Sequence, residues 1–170
     1  MSDIAATATH PPGTRLQVGL ILLSAVQLLG GLVDLPNAFT DYGHETALLK
    51  AAQAITSVYL VLTPILAAAA LAFAILRHFA RAIYALAALI FAEWLSDLPS
   101  IAIHGTEITP DFSGLVPFGA YVVMPILGVG AIVLTRRGRH GLATLAAALP
   151  TLAHWAGVIA FTIGIMVYGF

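Results

Sequence analysis

The chain has 170 residues, of which 60% are hydrophobic and only 9% are charged, and its mean hydropathy is +0.98. A soluble domain is about 25% charged, so this composition excludes an ordinary soluble fold and indicates an integral membrane protein. The formal net charge of −1 argues against a nucleic-acid partner, and the absence of cysteine excludes disulfides and thiolate metal sites.

Five apolar stretches predict an all-α bundle of five transmembrane helices, because each is long enough to cross ~30 Å of hydrocarbon at ~1.5 Å per residue. We expect residues 1–14 to form a short disordered lead, and residues 15–170 to form a single membrane domain whose first span is not cleaved. The predicted spans are 16–33, 51–76 with a helical lead-in from about residue 45, 82–103, 115–135 and 142–168.

The basic residues predict how the spans are oriented. Six arginines flank one end of the spans, and only Lys50 falls at the other end. The positive-inside rule makes the arginine end cytoplasmic, so we expect the N-terminus inside and the C-terminus outside, in a bacterial cytoplasmic membrane. The arginines are Arg15, Arg77, Arg81, Arg136, Arg137 and Arg139.

A weak internal repeat accompanies this arrangement. The sequence LVDLP at 32–36 resembles LSDLP at 95–99, and YLVLTPIL at 59–66 resembles YVVMPIL at 121–127. These matches predict a parallel hairpin repeat of 16–76 and 82–135, with the fifth span, 142–168, resembling a further first half. Short matches in apolar sequence also arise by chance, so duplication and coincidence both remain open.

Small and weakly polar residues mark helix contacts in lipid, and they form stripes on four of the spans. The stripes predict a weakly polar axis inside a greasy exterior. Prolines in or near the spans allow either plain kinks or a polarised cavity. The stripe residues are Gln17, Ser24, Gln27, Gly31 and Asp34 in span 1, Gln53, Thr56, Ser57 and Thr63 in span 2, and Thr144, Thr151, His154 and Thr162 in span 5.

The third span carries the most polar face. Glu93, Ser96, Asp97, Ser100 and His104 would share one side of a continuous helix. Carboxyl groups within a membrane need a partner or a cavity, and Glu93 lies too deep to cap a helix end. We therefore interpret Glu93 as a buried polar residue, for which a cation or proton site is the functional hypothesis. Asp97, like Asp34 in span 1, is better interpreted as a cap or turn residue before a DLP bend.

His154 lies near the middle of span 5, where it could form a hydrogen bond with Glu93. Such a pair could act as a relay or only as a structural contact, and the sequence does not separate the two. Trp94 and Trp155 adjoin these two residues, and we interpret both tryptophans as packing residues.

A metal site is a weaker hypothesis. Nitrogen and oxygen side chains gather in the predicted outer loops, and together they have the chemistry of a divalent metal site, although no HxxxH or HExxH spacing supports it. The candidates are His44, Glu45, His104, Glu107 and Asp111. No second histidine at mid-depth opposes His154, so haem is not expected, and no cofactor is predicted.

Three functions remain open. The first is a transporter or channel-like protein for a proton, a cation or a small polar solute; its candidate residues are Glu93, Asp97, His154, Asp34, Gln27, Ser96 and Ser100. The second is a non-catalytic accessory or assembly subunit of a membrane complex. A membrane enzyme or cofactor carrier is the least supported, because no catalytic motif is present. The expected partners are the lipid bilayer and either further copies of the chain or a larger membrane complex.

Overall fold

The structure, a computed structural model, describes residues 12–41, 43, 46–104 and 119–169. Within these ranges 92% of the residues are helical and every regular element is a helix. Helix α1 covers Pro12–Asp34 and continues into a 3-10 helix, Leu35–Phe39. Helices α2 and α3 cover Ala47–Ile75 and Phe79–His104. A π-helical turn, Gly119–Val123, leads into α4, Met124–Arg136, and α5 covers His140–Tyr168.

The all-helical prediction is therefore confirmed, and in the described ranges four helices are long and apolar enough to cross a membrane. These four correspond to predicted spans 1, 2, 3 and 5. The fourth apolar helix is shorter, at Tyr121–Arg136, and residues 115–118 of its predicted span lie outside the described residues. Helix α1 begins at Pro12, earlier than the predicted span, while residues 1–11 are outside the description.

Helix α3 lies at the centre of the bundle. It packs against α1, α2, α4 and α5. Helix α1 also packs against α2 and α5. Small side chains allow this close packing. The core is formed largely by buried alanines together with the larger side chains of Leu20, Ile83, Leu86, Leu89 and Ile90.

The arginine-flanked ends of the helices meet at one end of the bundle. The side-chain amide of Gln17, near the start of α1, donates hydrogen bonds to the carbonyls of Ala74 and Ile75 at the end of α2, at 3.3 and 3.2 Å. The Arg81 guanidinium, at the start of α3, lies 5.9 Å from the centre of the Phe73 ring. Arg15 and Gly141 line one groove, so α5 also begins at this end.

The α2–α3 and α4–α5 turns close in the same way. Arg77 and Gly138, which are 61 positions apart, both adopt the left-handed conformation, with φ of 59° and 72°. This conformation favours glycine, so Arg77 holds it at some steric cost. Each turn is closed by a hydrogen bond from the following backbone N–H, His78 to Phe73 at 2.8 Å and Arg139 to Leu134 at 2.9 Å.

Burial follows the same spacing on the two helices that lead into these turns. Gly128, Ala131 and Thr135 of α4 are buried. The residues 61 positions earlier in α2, namely Ala67, Ala70 and Ala74, are buried too. The coincidence fits the predicted hairpin repeat, which stays a prediction.

The two DLP sequences do not behave alike. After Asp34 the chain changes to the 3-10 helix with Pro36 in its first turn, and the Asp34 side chain forms no capping hydrogen bond. Helix α3 instead continues through Pro99 to His104. The interpretation of Asp97 as a cap or turn residue was therefore wrong. The backbone is helical on both sides of Pro99. The proline removes one backbone hydrogen-bond donor from α3 but does not end the helix.

Ser24 in α1 is fully buried, and its hydroxyl has no hydrogen-bond partner among the described residues. An unsatisfied buried hydroxyl costs about 1–3 kcal/mol. We expect Ser24→Ala to raise the free energy of unfolding in mild detergent by about 1 kcal/mol, because alanine removes the polar atom and almost no volume. Thr135→Val is the control. The buried Thr135 hydroxyl already donates a hydrogen bond to the Ala131 carbonyl, so its removal should not give the same gain in stability. A less stable Ser24→Ala protein would contradict this expectation.

Candidate functional site

A polar cavity of about 140 Å³ lies between four helices of the bundle. It is lined by side chains of α1, α2, α3 and α5, and none of its described lining residues belongs to α4. Four of the lining side chains can ionise, one from each helix: Asp34, Tyr59, Glu93 and His154. The remaining lining residues are Val26, Gln27, Gly30, Gly31, Thr63, Pro150, Thr151 and Trp155.

Three polar residues of the cavity lie at one level of the bundle, and Asp34, at the end of α1, lies further from the arginine end. Glu93 and His154 each follow the start of their helix, at the arginine end, by 14 residues, and Gln27 follows the start of α1 by 15. At ~1.5 Å per residue, these positions lie ~21–23 Å from that end. Because hydrocarbon is ~30 Å thick, a membrane around these helices would place these three residues within its apolar layer, toward the side away from the arginines.

Gln27 and Thr151 join α1 to α5 beside the cavity. The Gln27 side-chain amide donates a hydrogen bond to the Thr151 hydroxyl, with 2.6 Å between nitrogen and oxygen. Thr151 is buried and directly follows Pro150, which lies inside α5 and lacks a backbone N–H. The two helices are thus joined by side chains next to the position where the α5 backbone lacks the hydrogen-bond donor that proline does not have.

Glu93 and its neighbour Trp94 serve different sides of α3. Glu93 is half-buried on the cavity wall. The Trp94 indole donates a hydrogen bond to the Tyr121 carbonyl in the π-helical turn, at 3.2 Å. Interpreting Trp94 as a packing residue agrees with this position. Ser96 turns back onto its own helix, where its hydroxyl donates to the Glu93 carbonyl at 2.7 Å.

His154 and Trp155 form the α5 side of the cavity. Their rings meet edge to face, with centroids 6.1 Å apart and an angle of 84° between the planes. This arrangement is the favourable one for aromatic rings, and it orients both side chains. Trp155 is 47% exposed, so it contributes to a wall and is not simply packed in the core.

Two mainly apolar grooves lie between α1 and α5, on the side of the cavity nearer the arginine end. They measure about 410 and 460 Å³. We call this line of contact between the two helices the α1–α5 seam. Beyond Thr151, by contrast, the residues of α5 from Leu152 to Ile163 are all exposed. The outer half of α5 is therefore held by few contacts from the described residues.

The structure brings four of the predicted site residues together: Glu93, His154, Asp34 and Gln27. Glu93 and His154 face the same cavity, but among the described residues no hydrogen bond joins them. Ser96 and Asp97 are absent from the described lining residues. The Ser100 and His104 side chains lie outside the description, as do residues His44, Glu45, Glu107 and Asp111. The described part of the chain holds no group of three metal-ligating side chains.

Only part of the polar stripe on α2 faces the interior of the bundle. Thr63 reaches the cavity, but Gln53, Thr56 and Ser57 line a separate notch beside the 3-10 helix, where the Gln53 side chain donates to the Thr40 carbonyl at 2.8 Å. The expectation that this whole stripe converges inward was wrong, because its outer half meets the 3-10 helix.

Tyr59 and Trp155 were missed as lining residues. For Tyr59 a signal existed, since it lies one helical turn before Thr63 on the same face. For Trp155 no sequence signal separates a wall of the cavity from a packing position, because both roles suit a large aromatic side chain.

Comparisons with known proteins add no relative to this description. No family model matches the chain, and neither the characterised proteins nor the solved structures include a significant match. The chemistry of the cavity therefore has to be judged on its own residues. Carboxyl, phenol, imidazole, amide and hydroxyl groups around a small space can hold water, a proton or a small cation.

Proposed function

We propose that the protein is a small integral membrane protein of a bacterial cytoplasmic membrane that transports protons or small cations. Glu93 is the group that binds and releases them, and His154 and Asp34 assist it. The observation that carries the proposal is the cavity itself, which is lined by ionisable groups from four helices, between long apolar segments.

The cost of a carboxyl group in a membrane supports this role for Glu93. Ionisable residues in hydrocarbon are expensive, and they are commonly part of a pathway for ions or protons. Glu93 lies on a cavity wall with no lysine or arginine among the described lining residues. Without a fixed counter-charge, the carboxyl group is free to take up a proton or a cation.

The proposed topology has five spans, with the N-terminus in the cytoplasm and the C-terminus outside. The gathering of arginines at one end of the helices supports it through the positive-inside rule. The π-helical turn and α4 together contain 18 residues, or ~27 Å, which is close to the minimum for a crossing. The cavity would then open toward the outer face.

Flux through purified protein in lipid vesicles tests the proposal. With a pH-sensitive dye inside and an imposed potassium gradient, wild-type protein should move protons or cations faster than protein-free vesicles. Glu93→Gln should lower that flux at least ten-fold, because the amide keeps the shape and loses the exchangeable proton and the charge.

Asp97→Asn is the matched control, since Asp97 lies one turn further along α3 and is not among the described lining residues. It should retain most of the flux. Equal flux in wild type and Glu93→Gln, at equal protein content, would remove Glu93 from the mechanism. Equal losses of flux in both variants would show that transport does not depend specifically on the carboxyl group that lines the cavity.

A second candidate function is that of an accessory subunit in a membrane complex. The exposure of α5 favours it, because only 6% of the residues in the apolar window of this helix are buried, against 33% in α3. A subunit whose α5 normally lies against another protein would show this pattern. Flux by the purified protein alone, with the expected loss in Glu93→Gln, would exclude a purely structural role.

A further inference from the structure

The walls of the cavity define what kind of cation fits it. Among its described lining residues, the acidic groups are the carboxyls of Asp34 and Glu93, and the one basic group is the His154 imidazole. Anions are disfavoured by the carboxyls, and neutral solutes would leave a charged carboxylate without compensation. A cation that enters the cavity supplies the counter-charge that the described lining residues do not.

Aromatic rings stand beside these carboxyls. Tyr59 of α2 and Trp155 of α5 line the same cavity as Glu93. The face of an aromatic ring attracts a cation, and tryptophan does so most strongly. The Trp155 ring also meets the His154 ring edge to face, so two ring systems of α5 lie at this wall. Carboxyls together with aromatic rings are suited to organic ammonium groups, which combine a positive charge with apolar surface.

The volume of the cavity and the arrangement of its side chains favour an organic cation over a metal ion. A cavity of about 140 Å³ has room for several water-sized groups. This is more room than one dehydrated metal ion needs. The described residues contain no cluster of three metal-ligating side chains, so a divalent metal lacks its usual set of ligands.

We propose that the cavity binds a small organic ammonium cation, of the size of methylammonium to tetramethylammonium. Its charged nitrogen would be bound by the carboxyls that line the cavity, Glu93 and Asp34, together with the rings of Trp155 and Tyr59. This proposal rests on the proposed function, because it names the class of cation that the transport site accepts.

The two tryptophans of the chain provide a direct assay. Trp94→Phe leaves Trp155 as the only tryptophan, and Trp94 is bonded to the π-helical turn away from the cavity. Titration of this variant in detergent with methylammonium or tetramethylammonium chloride should give a saturable change in Trp155 emission. Potassium chloride at the same ionic strength should give none. The further change Glu93→Gln should weaken the binding at least ten-fold.

Calorimetry on the wild-type protein with the same two salts is independent of the tryptophan variant. Trp155→Leu should weaken tetramethylammonium binding several-fold, whereas Trp94→Phe should not. Absence of saturable binding in both measurements would overturn the ammonium site, even where vesicles show proton flux through Glu93. Saturable binding by a protein that moves no proton or cation would instead support the site and overturn the proposed transport.

Discussion

A valine in place of Gly31 is expected to destabilise the bundle by about 2–3 kcal/mol, the upper part of the range for overpacking a well-packed contact. A Cβ atom at this position would lie 2.8 Å from the Thr63 methyl group and 3.0 Å from the backbone nitrogen of Pro64. Neither atom can move easily. Thr63 is buried, and its hydroxyl is bonded to the Tyr59 carbonyl at 2.9 Å, while Pro64 is part of the rigid backbone of α2.

Gly30→Val is the control that separates packing from helix propensity. Gly30 is the preceding residue of α1, and a Cβ atom there would meet nothing within 4 Å. Both variants replace glycine with valine in the same helix, so they change helix propensity equally. Thermal unfolding in mild detergent should show a clear loss for Gly31→Val and little change for Gly30→Val. Equal stability of the two variants would contradict the close contact between α1 and α2.

A reversible cross-link between positions 27 and 151 is expected to stop transport. The natural chain contains no cysteine, so Gln27→Cys with Thr151→Cys creates the only thiol pair. The original side chains meet at 2.6 Å, which places the new thiols within reach of a short bifunctional thiol reagent. We expect flux in vesicles to fall at least ten-fold on cross-linking and to recover on reduction.

The physical reason is that the part of α5 beyond Thr151 makes few contacts with the other described helices. Pro150 removes one backbone hydrogen bond, and the residues of α5 from Leu152 to Ile163 are exposed, so the outer half of this helix can move as a unit. Movement of this outer half away from α1 would widen the cavity, which both helices line. A cross-link at Gln27 and Thr151 would prevent it.

Gly19→Cys with Ala148→Cys is the matched control for this cross-link. Both positions line the apolar grooves of the α1–α5 seam, on the arginine side of Pro150. A link there joins parts of α1 and α5 that we expect to stay together, so flux should be retained. Full flux through the protein cross-linked at 27 and 151 would exclude movement of α5 against α1 as a step of transport.

The sequence alone determined the helices, because apolar runs of about 20 residues specify a helix wherever water is absent. It also determined that Glu93 and His154 lie at a similar depth, since both are counted from arginine-flanked helix starts. Depth depends only on the rise per residue, and that quantity is local. The polar faces of α1 and α3 followed from the helical period in the same way.

Only the tertiary structure decided which of these residues share a space. Asp97 lies one turn from Glu93, yet it is not among the described lining residues, whereas Tyr59 and Trp155 are. The rotation of each helix about its axis selects among the residues of one face. That rotation is set by close contacts such as Gly31 against Pro64, between residues far apart in the chain. Helical periodicity defines a face, but contacts between helices decide what the face meets.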